Sequence, residues 1–309
     1  MIKVGVSSCL LGEKVRYDGG HKHDKYLTDN LGKYFEWVSM CPERVLGVPR
    51  ESMHLVVNSS GEVILSTVKT GKNMTQIVKS TVEKLIEESV GSDLCGFIFK
   101  KKSPSCGMER VKIYNENGFS NSTGSGLFAQ EFIQTFPFMP VEEEGRLNDP
   151  EIRINFLTRV FVFAEWKKFI SENPTADGLY NFHAAHKYLL MASDVGQLKK
   201  LGGFISGAGN NITDEFLEKY IHMLLDGLKK IPTKGQHVNV LQHIAGYFKK
   251  LLTSDEKKEL MENIMQYREG ILPLSAVITL LKHYVRKYKE PYLARQYYLY
   301  REGADLFQL

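Results

Sequence analysis

Residues 4–9, Val4-Gly5-Val6-Ser7-Ser8-Cys9, are a short apolar run that ends in two serines and a cysteine. Such a run near the start of a chain is typical of a strand that is buried on both faces of a parallel sheet. Gly12 follows three residues later and indicates a loop. The segment therefore predicts a first buried strand, and it places a thiol at the carboxyl end of that strand.

The remainder of the first half alternates similar apolar runs with helical segments, which predicts an α/β domain with a mostly parallel sheet. Strands are predicted at residues 3–7, 37–40, 54–58, 63–67, 96–100 and 111–114, and helices at residues 75–90 and 126–136. The turn Ser59-Ser60-Gly61 indicates that the strands on either side of it form an antiparallel hairpin. We expect this hairpin to be the one antiparallel insertion in the sheet.

The second half has only helical periodicity, which begins after the acidic run at residues 142–144. Helices are predicted at residues 151–171, 177–201, 213–229, 236–252, 255–268, 273–288 and 291–299. Thr213 and Thr253 are predicted to cap helices, whereas the glycine pair at 202–203 and Gly270 are predicted to end them.

The composition supports two globular domains. The chain has 309 residues, of which 43% are hydrophobic and 25% charged, and this length suffices for two buried cores. We expect an α/β domain at residues 1–145 and an all-α helical bundle at residues 150–309. No apolar stretch approaches the ~20 residues of a membrane helix, so we expect a cytoplasmic protein without membrane contact. The net charge of +4 arises after residue 148, which favours an anionic partner for the second half.

Three of the four cysteines stand where predicted strands end. Cys9 ends the first strand, Cys41 ends the second, and Cys106 lies in the loop after the strand at residues 96–100. Because ligands of an open α/β sheet gather beyond the carboxyl ends of its strands, we expect these three thiols to meet there. Cys95 lies within an apolar run and is predicted to be a core residue.

The spacing of these cysteines leaves their role open. The three positions are far apart in the sequence and match no local motif of a zinc or ferredoxin-type site. Each cysteine could be only a small buried apolar residue. Their position at three strand ends favours metal ligation, and three thiolates without an obvious fourth ligand suit an iron–sulfur cluster that leaves one iron open.

Polar side chains surround these cysteines in the sequence. Glu43 stands two residues after Cys41 and is either a catalytic acid or base or a solvated loop residue. Ser103 and Ser105 flank Pro104 and are either site residues or turn formers. The loop after the first strand contributes the further candidates Arg16, Asp18, His21 and His23.

The helical half holds a second group of candidates. His183 and His186 lie three residues apart on one predicted helix, a spacing compatible with metal binding or with packing. The alternative is a polar surface that binds a phosphate backbone or stacks an unpaired base. Its residues are His183, His186, Lys187, Asn239, His243 and Tyr247. Tyrosines and basic residues also alternate from Tyr284 to Arg301, where they either bind RNA or pack the core of the domain.

Four motifs follow one another along the first half. They are Ser7-Ser8-Cys9-Leu10-Leu11-Gly12 with Val15-Arg16-Tyr17-Asp18-Gly19, Cys41-Pro42-Glu43, Val48-Pro49-Arg50, and Lys102-Ser103-Pro104-Ser105-Cys106-Gly107. In this order they resemble the TudS-type thiouracil desulfidases, and the resemblance covers residues 1–145.

The resemblance implies a site and a cofactor. It assigns Cys9, Cys41 and Cys106 as ligands of a 4Fe-4S cluster with one open iron that takes the sulfur of a thiocarbonyl. It assigns Glu43 as the catalytic glutamate and Ser103 as the active-site serine. The substrate-binding residues expected beside them are Arg16, Asp18, Arg50 and Ser105.

The second half resembles the YbgA-type domain. The resemblance is carried by Phe182-His183-Ala184-Ala185-His186-Lys187, by the stretch at residues 237–248, by Tyr267-Arg268-Glu269-Gly270 and by Pro273-Leu274. Proteins that fuse the two modules resemble the RudS group, which implies hydrolytic removal of sulfur from 4-thiouridine, free or in tRNA, with release of sulfide. Two alternatives remain: an enzyme for free thiouracil or thioamides whose helical domain binds a protein, and a redox sensor.

Overall fold

The computed structural model describes residues 1–300 except residues 116, 121, 173, 208, 210 and 211, so Arg301 lies outside the described residues. The chain forms two compact units, Met1–Ala164 and a second that begins at Glu165. The first unit is built on a parallel sheet and the second is helical, which confirms the predicted fold class.

The first unit contains two four-stranded sheets. Its elements are β1 (Ile2–Ser7), β2 (Phe35–Met40), β3 (Met53–Val57), β4 (Val63–Thr67), α1 (Thr75–Val90), β5 (Phe97–Phe99), β6 (Val111–Tyr114), β7 (Ser122–Gly124), α2 (Leu127–Thr135), β8 (Val141–Glu143) and most of α3 (Pro150–Ser171). The first sheet has the order β2-β1-β5-β8, and all its strand pairs are parallel. The second sheet has the order β4-β3-β6-β7 and is mixed.

The predicted hairpin exists, but not as an insertion in the parallel sheet. β3 pairs antiparallel with β4, and Val57 lies opposite Val63 across the turn. β3 also pairs in parallel with β6, and β6 pairs antiparallel with β7, so these strands form a sheet of their own. The sequence does not reveal β7, because Ser122-Thr123-Gly124 has no apolar alternation.

The core of the parallel sheet depends on a close approach between β1 and β5. A Cβ atom on Gly5 would lie 2.2 Å from the ring of Phe97, so only glycine leaves room for that ring. The ring of Phe97 lies 4.3 Å from that of Phe99 and 4.8 Å from that of Phe132, centroid to centroid. All three residues are fully buried.

The two units divide inside α3, at Ala164 and Glu165, rather than near residues 145–150 where the sequence pattern changes. The first part of α3 belongs to the first unit because its side chains complete that core. A Cβ atom on Gly96 would lie 2.8 Å from Val160, and the ring of Phe161 lies 5.8 Å from that of Phe35.

The second unit is a helical bundle. Its helices are α4 (Ala176–Ser193), α5 (Val195–Ser206), α6 (Asp214–Leu228), α7 (Lys234–Gly246), α8 (Ser254–Glu269), α9 (Leu274–Tyr288) and α10 (Pro291–Ala294). Thr213 and Thr253 cap α6 and α8 through their side chains, and Gly270 ends α8 with φ 82°, as predicted. Among the described residues, no helix is long and apolar enough to cross a membrane.

Four predictions about the helices are wrong. The single helix expected at residues 177–201 is two helices, because Asp194 is extended and its side chain accepts the amide hydrogen of Gln197, which starts α5. The glycine pair at residues 202–203 does not end a helix but lies inside α5. In addition, α7 ends at Gly246 rather than near residue 252, and α10 ends at Ala294 rather than at 299.

The N-terminus of α2 lies directly against the loop that carries Cys106. A Cβ atom on Gly126 would lie 2.5 Å from the carbonyl carbon of Ser105 and 2.8 Å from the amide nitrogen of Cys106. The Gly126 amide donates to the carbonyl oxygen of Gly107 over 2.8 Å. Only glycine permits this approach, so the sequence ties the helix to the loop at one point.

We expect Gly126→Ala to lower the free energy of unfolding by about 1–3 kcal/mol, because the added methyl group must displace backbone atoms. Gly203→Ala is the matched control, since its methyl group enters open space on α5. This control is expected to stabilise the chain by up to about 1 kcal/mol through helix propensity. Urea denaturation measures both values, and equal values for the two variants would contradict the close approach.

Candidate active site

A cavity of about 370 Å³ lies where β1, β2 and β5 end. Cys9, Cys41 and Cys106 all line it, so the structure brings the three predicted thiols to one place. Glu43, Ser103 and Arg16 line the same cavity. A second cavity, of about 490 Å³, lies beside α1 and α2, and none of the predicted site residues lines it.

Local backbone structure places each of the three thiols. Cys9 sits in a helical turn, Ser8–Leu11, that Gly12 closes with φ 90°, and the carbonyl oxygen of Cys9 accepts the Lys22 amide hydrogen over 2.8 Å. Cys41 directly follows β2. The amide of Cys106 donates to the hydroxyl oxygen of Ser103 over 3.1 Å.

Burial keeps these thiols protonated when no cation is bound. It raises the pKa of Cys9 to about 11, and it also raises the pKa of Cys41. The pKa of Cys106 is raised well above its usual value by burial first and by the neighbouring thiols and Glu43 second, while a hydrogen bond from Ser7 lowers it. A bound metal would displace these protons, because a coordinating thiol is deprotonated.

Cys95 is separate from the other three. It is buried just before β5, its amide donates to the carbonyl oxygen of Lys3 over 2.8 Å, and it does not line the cavity. The structure therefore places Cys95 in the core between β1 and β5.

The donors at this cavity are soft sulfur atoms. Among the described residues, no three His, Cys, Asp or Glu side chains are close enough together to hold one metal ion. An iron–sulfur cluster spreads its thiolate ligands over several irons and tolerates a wider spacing. Three soft sulfur donors that share one cavity are therefore compatible with such a cluster.

Glu43 is held firmly from two sides. One carboxylate oxygen accepts the hydroxyl hydrogen of Ser105 over 2.7 Å, and the other accepts an N–H of Arg50. Arg50 also donates to the carbonyl oxygens of Gly47 over 2.8 Å and Val15 over 3.2 Å. Neither Arg50 nor Ser105 lines the cavity, so both reach it through Glu43.

Ser103 and Arg16 present polar atoms to the cavity. The hydroxyl oxygen of Ser103 accepts two backbone amides, those of Ser105 and Cys106, which leaves its O–H able to donate. The Nε of Arg16 is buried, has no hydrogen-bond partner among the residues that the structure describes, and lies 3.8 Å from Oδ1 of Asp18. Asp18 itself lies outside the lining, in an exposed turn where the amide of Gly20 lowers its pKa.

Sequence reasoning missed several lining residues. These are Ser7 and Lys22 together with Lys100, Lys101 and Lys102, which directly follow β5. The rule that pointed to Cys106, that chemistry gathers beyond the carboxyl ends of strands, could also have found the three lysines. Lys22, the three lysines after β5 and Arg16 give the cavity a positive lining. This charge favours a cofactor or substrate of negative charge.

In the helical unit, His183 and His186 serve packing. The ring of His186 is buried between those of Phe182, at 4.2 Å, and Tyr297, at 4.8 Å. Its Nδ1 lies 2.8 Å from the carbonyl oxygen of Phe182. Burial lowers the pKa of His183 to about 4, and its ring lies beside the hydroxyl of Tyr220. His186 therefore does not reach the surface that was predicted to bind RNA.

The other predicted RNA-binding residues are accessible. Asn239 and His243 on α7, and Tyr247 directly after its end, are exposed at intervals of four residues, and Lys187 is half-buried on α4. The ring of Tyr247 stacks on that of Tyr292 at 5.7 Å with an angle of 8°. The C-terminal tyrosines mostly build the core instead: Tyr284, Tyr297 and Tyr298 are buried.

Comparisons with known proteins match the two halves of the chain to different families. The 2-thiouracil desulfurase family matches residues 4–144, and a protein family of unknown function, DUF1722, matches residues 187–301. The chain is 31% identical over 152 residues to the uncharacterised protein YbbK of Bacillus subtilis, covering 47% of this chain and 97% of that protein. It is 29% identical over 143 residues to the uncharacterised protein YbgA of Escherichia coli, covering 46% of this chain and 85% of that protein.

A solved structure, that of the [4Fe-4S]-dependent thiouracil desulfidase TudS, is 26% identical to this chain. The match covers 48% of this chain and 94% of that one, with a TM-score of 0.38.

The fold and the cavity define a class of protein, in which an α/β domain carries a cysteine-lined site at its strand ends and a helical domain follows. The chain belongs to the 2-thiouracil desulfurase family, and its second half matches the DUF1722 model. Thiouracil desulfuration is thus the activity of its class.

Proposed function

We propose that this protein is an iron–sulfur-dependent desulfidase that replaces the thiocarbonyl sulfur of a thiolated uracil base with oxygen and releases sulfide. The preferred substrate is 4-thiouridine, free or within tRNA, and the protein works in the reducing cytoplasm. One observation carries the proposal: three thiols from three strand ends line one cavity together with Glu43 and Ser103. Residues 1–145 perform the chemistry, and residues 150–309 bind the RNA or substrate.

The residues present fit the proposed cofactor. Cys9, Cys41 and Cys106 would hold a 4Fe-4S cluster with one open iron, and the lysines of the lining would offset its negative charge. When bound, the cluster supplies a soft Lewis acid that polarises the carbon–sulfur bond of the base.

Glu43 is the general base of the proposed reaction. Its carboxylate accepts a proton from water while the water oxygen bonds to the ring carbon. The carbon–sulfur bond then breaks as the departing sulfur takes that proton from Glu43 and the second proton of the water, which restores the carboxylate. One water is consumed and one hydrogen sulfide is released, without net oxidation or reduction. Arg50 and Ser105 keep the carboxylate oriented throughout, and the Ser103 hydroxyl donates to a ring oxygen or nitrogen of the substrate.

We expect Cys9→Ala, Cys41→Ala and Cys106→Ala each to abolish the brown cluster absorbance and sulfide release, because each removes a ligand. Cys95→Ala is the control and is expected to keep both, since Cys95 lies outside the cavity. Activity is measured after anaerobic reconstitution as the loss of near-ultraviolet thiocarbonyl absorbance. The rates of this loss rank the substrates 4-thiouracil, 2-thiouracil, thiouridine nucleotides and thiolated tRNA. A triple variant that retained full activity would refute the cofactor assignment.

We expect Glu43→Gln to lower kcat by about 100-fold or more while the cluster absorbance persists, because the amide has the shape of the carboxylate but takes no proton. Glu13→Gln is the matched control. Glu13 bonds Ser39 and Arg44 near the same strand ends but does not line the cavity. Steady-state sulfide release measures both variants, and an active Glu43→Gln protein would rule out Glu43 as the base.

We propose that the exposed face of α7 and the residue that follows the helix form the RNA-binding surface, with Asn239, His243 and Tyr247 at its centre. Tyr247 is 41% exposed and is backed by Tyr292, so a base can stack on a ring that is already fixed. The basic residues proposed for this surface are Lys187, half-buried on α4, and Lys249, exposed two residues after Tyr247. His186 is left out of this surface because it is buried.

We expect thiolated tRNA to bind with an affinity that falls steeply with salt, since each neutralised phosphate releases counterions. Tyr247→Ala should weaken binding by about tenfold, the value of one stacked base, and Tyr180→Ala, also exposed but on α4, should not. Fluorescence anisotropy at several salt concentrations measures both. Affinity that does not respond to salt would instead favour a protein-interaction module.

A further inference from the structure

The acidic run Glu142-Glu143-Glu144 is buried, although its composition is typical of a solvated turn. The exposed fractions of the three residues are 5%, 7% and 8%. The first two belong to β8, where Glu143 lies opposite Phe99 of β5. Buried carboxylates are costly unless hydrogen-bonded or paired with charge, so the contacts of each one show what it does.

Glu144 holds the start of the loop that carries Ser103 and Cys106. One of its oxygens accepts the backbone amide of Lys101 over 2.7 Å, and the other accepts the ammonium group of Lys100. A carboxylate that accepts a backbone amide and an ammonium group together fixes both the main chain and a side chain at this point.

Glu143 holds the other end of the same loop. One of its oxygens accepts the backbone amide of Met108 over 2.9 Å. Burial raises the pKa of Glu143, and the amides of Met108 and Glu109 lower it. Glu143 at the end of β8 and Glu144 directly after it thus bond the chain two residues after Cys106 and five residues before it.

Glu142 differs from its neighbours, since it contacts no part of this loop in the described structure. Its carboxylate accepts the guanidinium Nε of Arg146 over 2.7 Å and the amide of Glu143 over 2.9 Å. It is as buried as the other two and carries the same charge. A substitution of Glu142 therefore serves as a control, because it removes a buried carboxylate without removing a hydrogen bond to the loop.

We propose that Glu143 and Glu144 are positioning residues that clamp both ends of the loop at residues 100–108 and so set the places of Ser103 and Cys106 in the cavity. Anchoring both ends restricts the conformations of the loop before any ligand binds, which lowers the entropy cost of ligation. The consequence for catalysis rests on the proposed function, whereas the clamp itself does not.

Amide hydrogen exchange of the full-length, metal-free chain tests the clamp directly. We expect the amides of Lys101 in Glu144→Ala and of Met108 in Glu143→Ala to exchange about tenfold faster or more. Glu143→Gln and Glu144→Gln should lie between these variants and the wild type, because the amide oxygen still accepts, and they serve if the alanine variants fail to fold. Glu142→Gln should leave the loop at the wild-type rate.

Retention of iron against a chelator is the second measurement, on the reconstituted protein. We expect Glu143→Ala and Glu144→Ala to retain iron about tenfold less well than wild type, with a changed visible spectrum, and Glu142→Gln to match wild type. Unchanged loop exchange in both alanine variants, or equal acceleration in Glu142→Gln, overturns the clamp. Failure of the wild type itself to bind iron would refute the proposed function instead, and the exchange data would still decide the clamp.

Discussion

The parallel register of β1 with its two neighbours is the constraint on which the site depends. Ser7 at the end of β1 lies opposite Met40 at the end of β2, and Val6 lies opposite Ile98 of β5. Because neighbouring strands are about 4.8 Å apart, residues that follow these three ends enter one small volume. A shift of one residue in either pair would point the preceding side chains to the opposite face and separate the thiols.

Sequence reasoning predicted this edge of the molecule well, because its signals are local. The apolar runs before Cys9 and Cys41 marked the strands, and the turn at residues 59–61 marked a hairpin. It failed where tertiary contacts decide. The acidic run Glu142-Glu143-Glu144 suggests a boundary before the helical half rather than strand β8. Nothing in these three residues indicates the hydrogen-bond partners with which they are buried in the structure. The glycine pair at residues 202–203 was read as a stop, although helix α5 accepts both glycines in open space.

At the site itself, hydrogen-bond partners that are distant in the sequence decide the role of a residue, and the sequence does not show them. The sequence leaves open whether Glu43 is a catalytic residue or a solvated loop residue. In the structure, Arg50 and Ser105 each donate a hydrogen bond to one of its carboxylate oxygens. Arg50 is seven residues away and Ser105 is 62 residues away, so only the fold can show that they converge. His186 illustrates the opposite case, because a histidine expected on a polar surface is itself buried and stacked between the rings of Phe182 and Tyr297.

The electrostatics of the cavity favour metal ligation over free thiol chemistry. A nucleophilic or redox-sensing cysteine needs a thiolate, and thiolates form where the pKa is lowered. Here burial raises the pKa of Cys9, Cys41 and Cys106, despite the basic residues that line the cavity. A metal bound directly by the sulfurs would displace these protons, because a coordinating thiol is deprotonated.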